Sequence, residues 1–110
     1  SLIEKVEVKS IAHITGGGFY GNIPRVIPKN CKVVIKKGSW CLPEIYKIAM
    51  KKIALPEKEL YTTFNMGIGM VLVVSPKDVT KVIKEMTNRH GVKCWEIGVV
   101  ARGGQCVEMV

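Results

Sequence analysis

The spacing of apolar and polar positions along the chain predicts strands and helices that follow one another in a single domain. Apolar runs rich in β-branched residues predict strands at Ser10–Ile14, Lys32–Lys36 and Met70–Val74. The last of these runs, MVLVV, has no polar position, so we expect a central strand that is covered on both faces. A further strand is predicted at Lys93–Val100, with Gly98 as a possible bulge. We expect Gln105–Met109 to pair back on it as a hairpin.

Apolar residues at helical spacing predict three helices between these strands. Leu42–Ile53 carries one apolar stripe, and Glu57–Phe64 forms a shorter helix. The third helix has Ser75 as a cap, Pro76 at its first position and Gly91 as a left-handed stop. Helices that alternate with strands before a closing hairpin favour the α+β class, with mixed α/β layers.

Composition bounds the classes of protein that fit. A length of 110 residues and a hydrophobic content of 47% suit one globular domain over residues 1–110. No stretch approaches the roughly 20 apolar residues of a membrane helix, and the first residues do not resemble a signal peptide. We therefore expect a cytoplasmic protein without a membrane partner. Because the chain begins at Ser1 without Met, we expect a piece of a longer polypeptide.

The cysteines and histidines do not predict a metal site. The four cysteines form no C-x-x-C pair, and the two histidines, His13 and His90, are distant from them in sequence. Such spacing is typical of reduced cytosolic thiols.

The net charge of +8 raises the alternative of nucleic-acid binding. However, the lysines lie mainly on the polar faces of predicted helices, and no aromatic residues alternate with them as a single-strand binder requires. We expect a solvated lysine surface and no nucleic-acid partner. A nucleic-acid-binding domain would instead show steeply salt-dependent binding to DNA.

The stretch AHITGGGFYGNIPRV contains the strongest candidate site. Gly16, Gly17 and Gly18 follow a strand, and successive glycines allow positive φ angles and main-chain N–H groups that converge on an anion. Arg25 adds a planar fork that matches phosphate oxygens, and Asn22 offers a side-chain donor or a cap for a turn that begins at Pro24. The alternative is a tight turn that needs only small residues. The stretch is neither a P-loop nor a dinucleotide fingerprint.

Two further features bear on chemistry. His13 lies in the strand before the glycines, where a structural histidine competes with a catalytic one. The chain contains a single Asp, which the predicted third helix explains as a capping residue, whereas an enzyme that uses ATP and magnesium usually supplies acidic ligands beside its phosphate loop. The sequence therefore suggests half of a site, completed by another domain or another chain.

The blocks AHITGGGFYGNIPRV, YTTFNMGIGMVLVV and CWEIGVV resemble, in that order, the C-terminal domain of the aminoimidazole ribonucleotide synthetase family. The resemblance extends from Lys5 to Val100. It implies an α+β domain with a mixed sheet, partly ferredoxin-like. It also implies an ATP-dependent cyclo-ligase of purine biosynthesis, which converts formylglycinamidine ribonucleotide and ATP to aminoimidazole ribonucleotide, ADP and phosphate.

The resemblance also implies the partners of this chain. The family's enzymes are homodimers of two-domain subunits, and ATP and Mg²⁺ are held mainly by the N-terminal domain. We therefore expect the chain alone to be inactive. The implied substrate-binding residues are Thr15, Gly16, Gly17, Gly18, Asn22, Arg25, Asn65, Gly67 and Gly69, with His13 as the candidate catalytic residue. The chain departs from the family at Gly21, where a Glu is common, and at Met66, where a Cys is frequent.

Other readings remain open at this level. Selenophosphate synthetase, thiamine-monophosphate kinase and formylglycinamidine ribonucleotide synthase share the architecture, although the NIPR step favours the cyclo-ligase. A hydrogenase maturation protein of the same architecture ends in a reactive Cys that this chain lacks. A free-standing phosphate- or nucleotide-binding module is the alternative that needs no second domain.

Overall fold

The computed structural model of the protein describes residues 6–52 and 55–110. Within these ranges the strands are β1 Val8–His13, β2 Cys31–Ile35, β3 Met70–Val74, β4 Gly98–Arg102 and β5 Val107–Met109. The α-helices are α1 Gly18–Asn22, α2 Glu44–Lys52, α3 Glu57–Thr63 and α4 Val79–Lys84. Short 3₁₀ turns occupy Pro24–Val26 and Pro76–Asp78, and a π-helical turn occupies Glu85–Arg89. The predicted α+β class is confirmed.

The strands form two sheets. β1 and β3 pair antiparallel, with Ala12 opposite Val71, and their register shifts between Val8 and Ser10. In the second sheet β2 lies in the middle, antiparallel to β4 and parallel to β5. This second sheet is therefore mixed, as predicted.

The expectation that β3 is a central strand is wrong, because among residues 6–52 and 55–110 its one partner is β1, in a two-stranded sheet. Its apolar run has a different cause. Val71 packs against the main core, whereas Leu72 and Val74 pack against a second cluster that contains Val82 of α4. Both faces of the strand thus contact apolar side chains, except at Met70, which is 58% exposed.

The predicted hairpin at the C-terminal end is also wrong. Gly103 N–H donates to Asn30 O, and Gln105 N–H donates to Cys31 O, so the chain crosses the end of β2 after leaving β4. β5 therefore joins the far side of β2 and does not pair with β4. Gly98 is not a bulge: it pairs in regular register with Ile35, and a Cβ there would overlap the main chain of Val34.

The predicted helices are present with changes at their ends. The first begins at Glu44, after Pro43, and its predicted last residue, Ile53, lies outside the described residues. Ser75 does not cap with its side chain, but Gly91 has the expected positive φ, at 64°. In the described part of the chain, no helix combines the length and apolar character needed to cross a membrane.

The main core lies between the elements that carry the glycine turns. Its largest fully buried side chains are Phe19, Ile23, Ile35 and Met66. In contrast, α2 has no buried residue, and Ile45 is 71% exposed although it belongs to the predicted apolar stripe.

Candidate functional site

The first glycine turn, Thr15–Gly18, follows directly from β1. Gly17 and Gly18 both have positive φ, at 102° and 57°, and Gly18 N–H donates to Thr15 O over 3.0 Å. Gly17 and Gly18 thus carry a sharp reversal that other residues adopt only with strain. Within residues 6–52 and 55–110, the N–H groups of Gly16 and Gly17 have no hydrogen-bond partner. Gly16 is exposed and Gly17 half-buried, so this turn offers two adjacent main-chain donors close to solvent.

Asn22 holds the first glycine turn from beneath. Its side chain is 6% exposed, and its Nδ2 donates to Gly18 O over 2.8 Å and, over longer distances of 3.3 and 3.4 Å, to Thr15 O and Gly16 O. Its Oδ1 accepts from the Thr15 hydroxyl over 3.3 Å. The side chain does not cap the 3₁₀ turn at Pro24, which has no side-chain cap, so that interpretation is wrong. Its contact with substrate stays a prediction.

A helical turn does begin at Pro24, as expected, but a helix that was not expected precedes it. α1 begins at Gly18, within the first glycine turn itself. Pro24 instead occupies the first position of the following 3₁₀ turn, which carries Arg25. This proline ends α1 because it lacks the N–H that a continuing helix needs.

The second glycine turn, Asn65–Gly69, lies beside the first. Ile14 N–H, at the end of β1, donates to Gly69 O over 2.9 Å, which joins the two segments. Gly67 has φ 91°, and a Cβ there would lie 2.5 Å from Cδ of Pro43. Met66 has a φ of 54° although it is fully buried. A buried non-glycine residue in this conformation persists only where its neighbours impose it.

The side chain of Asn65 shapes this second turn. Its Oδ1 accepts from Gly67 N–H over 2.8 Å and from the Tyr46 hydroxyl over 3.0 Å. Tyr46 lies on α2 and packs edge-on against Phe64. The predicted site residue Asn65 therefore has a defined role in the turn, and its contact with a ligand stays a prediction.

An aromatic cluster supports both turns. Phe19, next to Gly18, stacks on Tyr61 with ring centroids 6.0 Å apart and meets Trp40 edge-on at 5.6 Å. Burial raises the pKa of the Tyr61 hydroxyl above its usual value, and the nearby Glu57 carboxylate adds to the effect. No motif around Trp40 in the sequence points to the glycine turns.

His13 and Arg25 lie along an open cleft between the two sheets. This cleft has a volume of about 1800 Å³, larger than the roughly 300–1000 Å³ of a small-molecule pocket. Gly67 and Gly69 line it too, together with apolar residues of β3 and of residues 92–100. The first glycine turn, Asn22 and Asn65 are not among its lining residues. The structure therefore brings four of the predicted site residues to one cleft and holds the others around the adjoining turns.

The basic residues lie on the surface. Lys77, Lys81, Lys84 and Arg89 line a shallow groove beside α4, in which the Glu85 carboxylate pairs with Arg89 over 3.1 Å. Elsewhere Lys37 pairs with Glu57 and Lys32 with Glu108, each at 2.6 Å. These ion pairs neutralise part of the positive charge on the surface.

The described residues do not fit a magnesium ion. Among them, no group of three or more His, Cys, Asp or Glu side chains comes together as a metal site. The one Asp of the sequence, Asp78, lies in the 3₁₀ turn before α4.

Comparison with known proteins gives consistent matches. A phosphoribosylformylglycinamidine cyclo-ligase of Caldicellulosiruptor bescii is 47% identical over 102 residues, which are 93% of this chain and 30% of that protein. A protein of the same name from Clostridium perfringens is 47% identical over 97% of this chain and 32% of its own length. Another, from Citrifermentans bemidjiense, is 44% identical over 100% of this chain and 32% of its own. The chain thus spans about a third of the curated relatives it matches.

Residues 1–110 also match the family described as "AIR synthase related protein, C-terminal domain". This match covers both glycine turns and every strand described above, and it confirms the resemblance seen in the sequence. The chain belongs to the AIR synthase related C-terminal domain family.

Proposed function

We propose that residues 1–110 form the C-terminal, substrate-binding domain of an ATP-dependent cyclo-ligase of purine biosynthesis. The substrate is formylglycinamidine ribonucleotide, and the product is aminoimidazole ribonucleotide. The name shared by the relatives supports this reaction class. The observation that carries the role of this domain is the pair of adjacent, unpartnered N–H groups of Gly16 and Gly17, within the described residues, in a turn whose shape Asn22 fixes.

The first glycine turn binds the 5-phosphate of the substrate. Two main-chain donors in a fixed turn suit a dianion, because they need no reorganisation when the anion arrives. Arg25 follows in the 3₁₀ turn after α1, and its guanidinium supplies charge-assisted hydrogen bonds that glycine amides cannot. Asn22 contributes to binding through the turn, because its Nδ2 donates hydrogen bonds to the carbonyl groups of Thr15, Gly16 and Gly18 and so fixes the shape of the turn.

The remaining predicted residues contact the rest of the substrate. His13 is the exposed last residue of β1 and shares the cleft with Gly67 and Gly69, so it is the candidate for contact near the reacting amide. ATP, held with Mg²⁺ mainly by the N-terminal domain, supplies the phosphoryl group that activates the amide oxygen. A nitrogen of the same substrate then attacks the carbon that carries this oxygen, which closes the ring and expels phosphate.

The proposed function implies that this chain has two kinds of partner. The N-terminal domain of the same polypeptide completes the site, and the full-length enzyme is a cytoplasmic homodimer. The chain has nine carboxylate side chains against 17 basic residues, and the carboxylates form no ligand cluster in the described ranges. This scarcity of acidic residues supports the assignment of ATP and Mg²⁺ to the N-terminal domain. The 110-residue chain alone is inactive in ring closure.

An NMR titration of backbone amides tests the proposal. Formylglycinamidine ribonucleotide should shift the amides of Gly16 and Gly17, whereas ATP and a short DNA duplex should not. Arg25→Ala should weaken binding by about tenfold or more, the loss of a charge-assisted hydrogen bond. Arg102→Ala is the matched control, because Arg102 is equally exposed but lies on β4.

The outcomes that contradict the proposal are specific. Equal weakening by Arg25→Ala and Arg102→Ala would show only a general attraction of anions to a basic protein. Shifts from DNA that spread over the lysine faces and disappear with added salt would favour the nucleic-acid interpretation.

A further inference from the structure

Trp40 contacts the second glycine turn through its one polar atom. Its indole Nε1–H donates to Met66 O over 3.0 Å, and the side chain is only 7% exposed. Met66 is the buried residue that has a positive φ. A buried indole N–H generally has a partner, but here the acceptor belongs to a strained residue, so the hydrogen bond stabilises a conformation that the backbone does not favour.

The ring of the same tryptophan contacts Phe19, the residue that follows the first glycine turn. Phe19, which follows Gly18, meets Trp40 edge-on with centroids 5.6 Å apart and planes at 83°. Tyr61 contacts the ring in the same way at 6.4 Å. Such edge-to-face pairs have a preferred geometry as well as a favourable energy. The N–H of Trp40 thus contacts the second turn directly, and its ring contacts the residue next to the first turn.

These contacts add to other connections between the segments that carry the two turns. The hydrogen bond from Ile14 N–H to Gly69 O joins the start of the first turn to the end of the second. Trp40 joins the far parts, Phe19 and Met66, on the core side. Gly18 also packs against the main-chain carbonyl groups of Tyr61 and Phe64, just before the second turn. The contacts of Trp40 add a further restraint on the core side, and contacts at several different points restrict the relative orientation of the two turns.

We infer that Trp40 is a positioning residue that sets the orientation of the first glycine turn relative to the second and so keeps the anion-binding N–H groups in their binding geometry. The inference rests on the proposed function, since it assigns phosphate binding to the first turn. Trp40 itself touches no ligand and acts through its contacts with Phe19 and Met66.

The sharpest test removes the N–H of Trp40 and little else. β-(3-Benzothienyl)alanine has the shape of tryptophan with sulfur in place of N–H, and it can be incorporated by a tryptophan auxotroph. A Trp95→Phe background leaves Trp40 as the sole site of incorporation. The same background with ordinary tryptophan is the matched control.

Two measurements, the amide shifts and the ligand affinity, are compared at a temperature at which circular dichroism shows both proteins to be fully folded. Without ligand, the analogue should shift the amides of Gly16 and Gly17 as well as those of Met66–Gly69. With ribose 5-phosphate as the probe, it should weaken binding by about tenfold relative to the control, the effect of one hydrogen bond. A purely structural role would lower the unfolding temperature and leave the affinity of the folded protein unchanged.

The failures are distinguishable. If the analogue shifts only Met66–Gly69 and leaves the amides of Gly16 and Gly17 and the affinity unchanged, the inference is wrong while the proposed function stands. If the control protein does not respond to ribose 5-phosphate, the phosphate site is wrong, and with it the role of Trp40 in binding. The ligand-free spectra then still decide whether Trp40 couples the two turns.

Discussion

Gly18 lies directly against the main-chain carbonyl of Tyr61. A Cβ at Gly18 would overlap Tyr61 O and would also lie 2.9 Å from Phe64 O. The first glycine turn thus packs on the last turn of α3 with no room for a side chain. The triple glycine of the sequence has one member required by packing and two, Gly16 and Gly17, that present N–H groups.

Gly18→Ala should therefore destabilise the protein severely, by more than about 3 kcal/mol, because both the clash and the positive φ oppose a side chain. The measurement is urea unfolding followed by circular dichroism. Gly16→Ala is the matched control: nothing lies within 4 Å of its Cβ position, so its free energy of unfolding should change by less than about 1 kcal/mol. Equal effects of the two substitutions would contradict the packing described for α3.

Asn22→Asp should destabilise the fold by about 2–4 kcal/mol at neutral pH, because an ionised carboxylate cannot donate to the three carbonyl groups that Asn22 now contacts. Those carbonyls should raise the pKa of the introduced carboxyl in the folded state. The lost stability should thus be partly recovered as the pH falls and the carboxyl is protonated. Asn88→Asp, at an exposed position, provides the comparison. If the loss of unfolding free energy in Asn22→Asp does not change with pH, Asn22 acts through its volume alone.

Gly67→Ala should cost about 2–3 kcal/mol, since a Cβ would press on the ring of Pro43 and the φ of 91° disfavours any side chain. Gly69→Ala, in the same turn, has open space and an ordinary φ, and it should leave the free energy of unfolding nearly unchanged. Thermal unfolding of both variants checks this difference. A neutral Gly67→Ala would show that the contact between Pro43 and the turn is not fixed.

Tyr61 should make the protein sensitive to alkali. Burial raises the pKa of its hydroxyl above the usual 10.0. The unfolded chain therefore loses this proton at a lower pH than the folded protein does. The stabilising contribution is complete below about pH 10 and falls as the pH rises toward the folded pKa.

Tyr61→Phe should abolish this part of the dependence, so the difference in unfolding free energy between the parent protein and the variant should shrink above pH 10. Taking the difference removes the contribution of Lys32, whose pKa is also raised, mainly by its hydrogen bond to Glu108. A constant difference from pH 8 to 11 would contradict the assignment.

Local pattern was sufficient to predict most elements. Apolar β-branched runs marked β1, β2 and β3 within two residues of their ends, and Gly91 marked the stop after α4. The glycine-rich stretches were likewise found from sequence, because positive φ angles at Gly17, Gly18 and Gly67 are a local requirement that only glycine meets without strain.

Pairing between distant strands was not predictable from local pattern. A strand with apolar residues on both faces suits a central or an edge position equally if helices cover it, and β3 proved to be an edge strand covered by α4. The Gly103-Gly104 turn suggested a hairpin, but hydrogen bonds to Asn30 and Cys31 direct the chain across β2. Strand order depends on contacts made far along the sequence, which a local window does not contain.

The sequence by itself determined the elements, the two glycine turns and, through their motifs, the family, since these depend on residues close together along the chain. Only the tertiary structure decided what supports those turns. Trp40 and Tyr46 come from segments without a motif in the sequence, yet they bind Met66 and Asn65. The physical reason is that one hydrogen bond or one ring contact between distant segments orients a turn, and only folding brings those segments together.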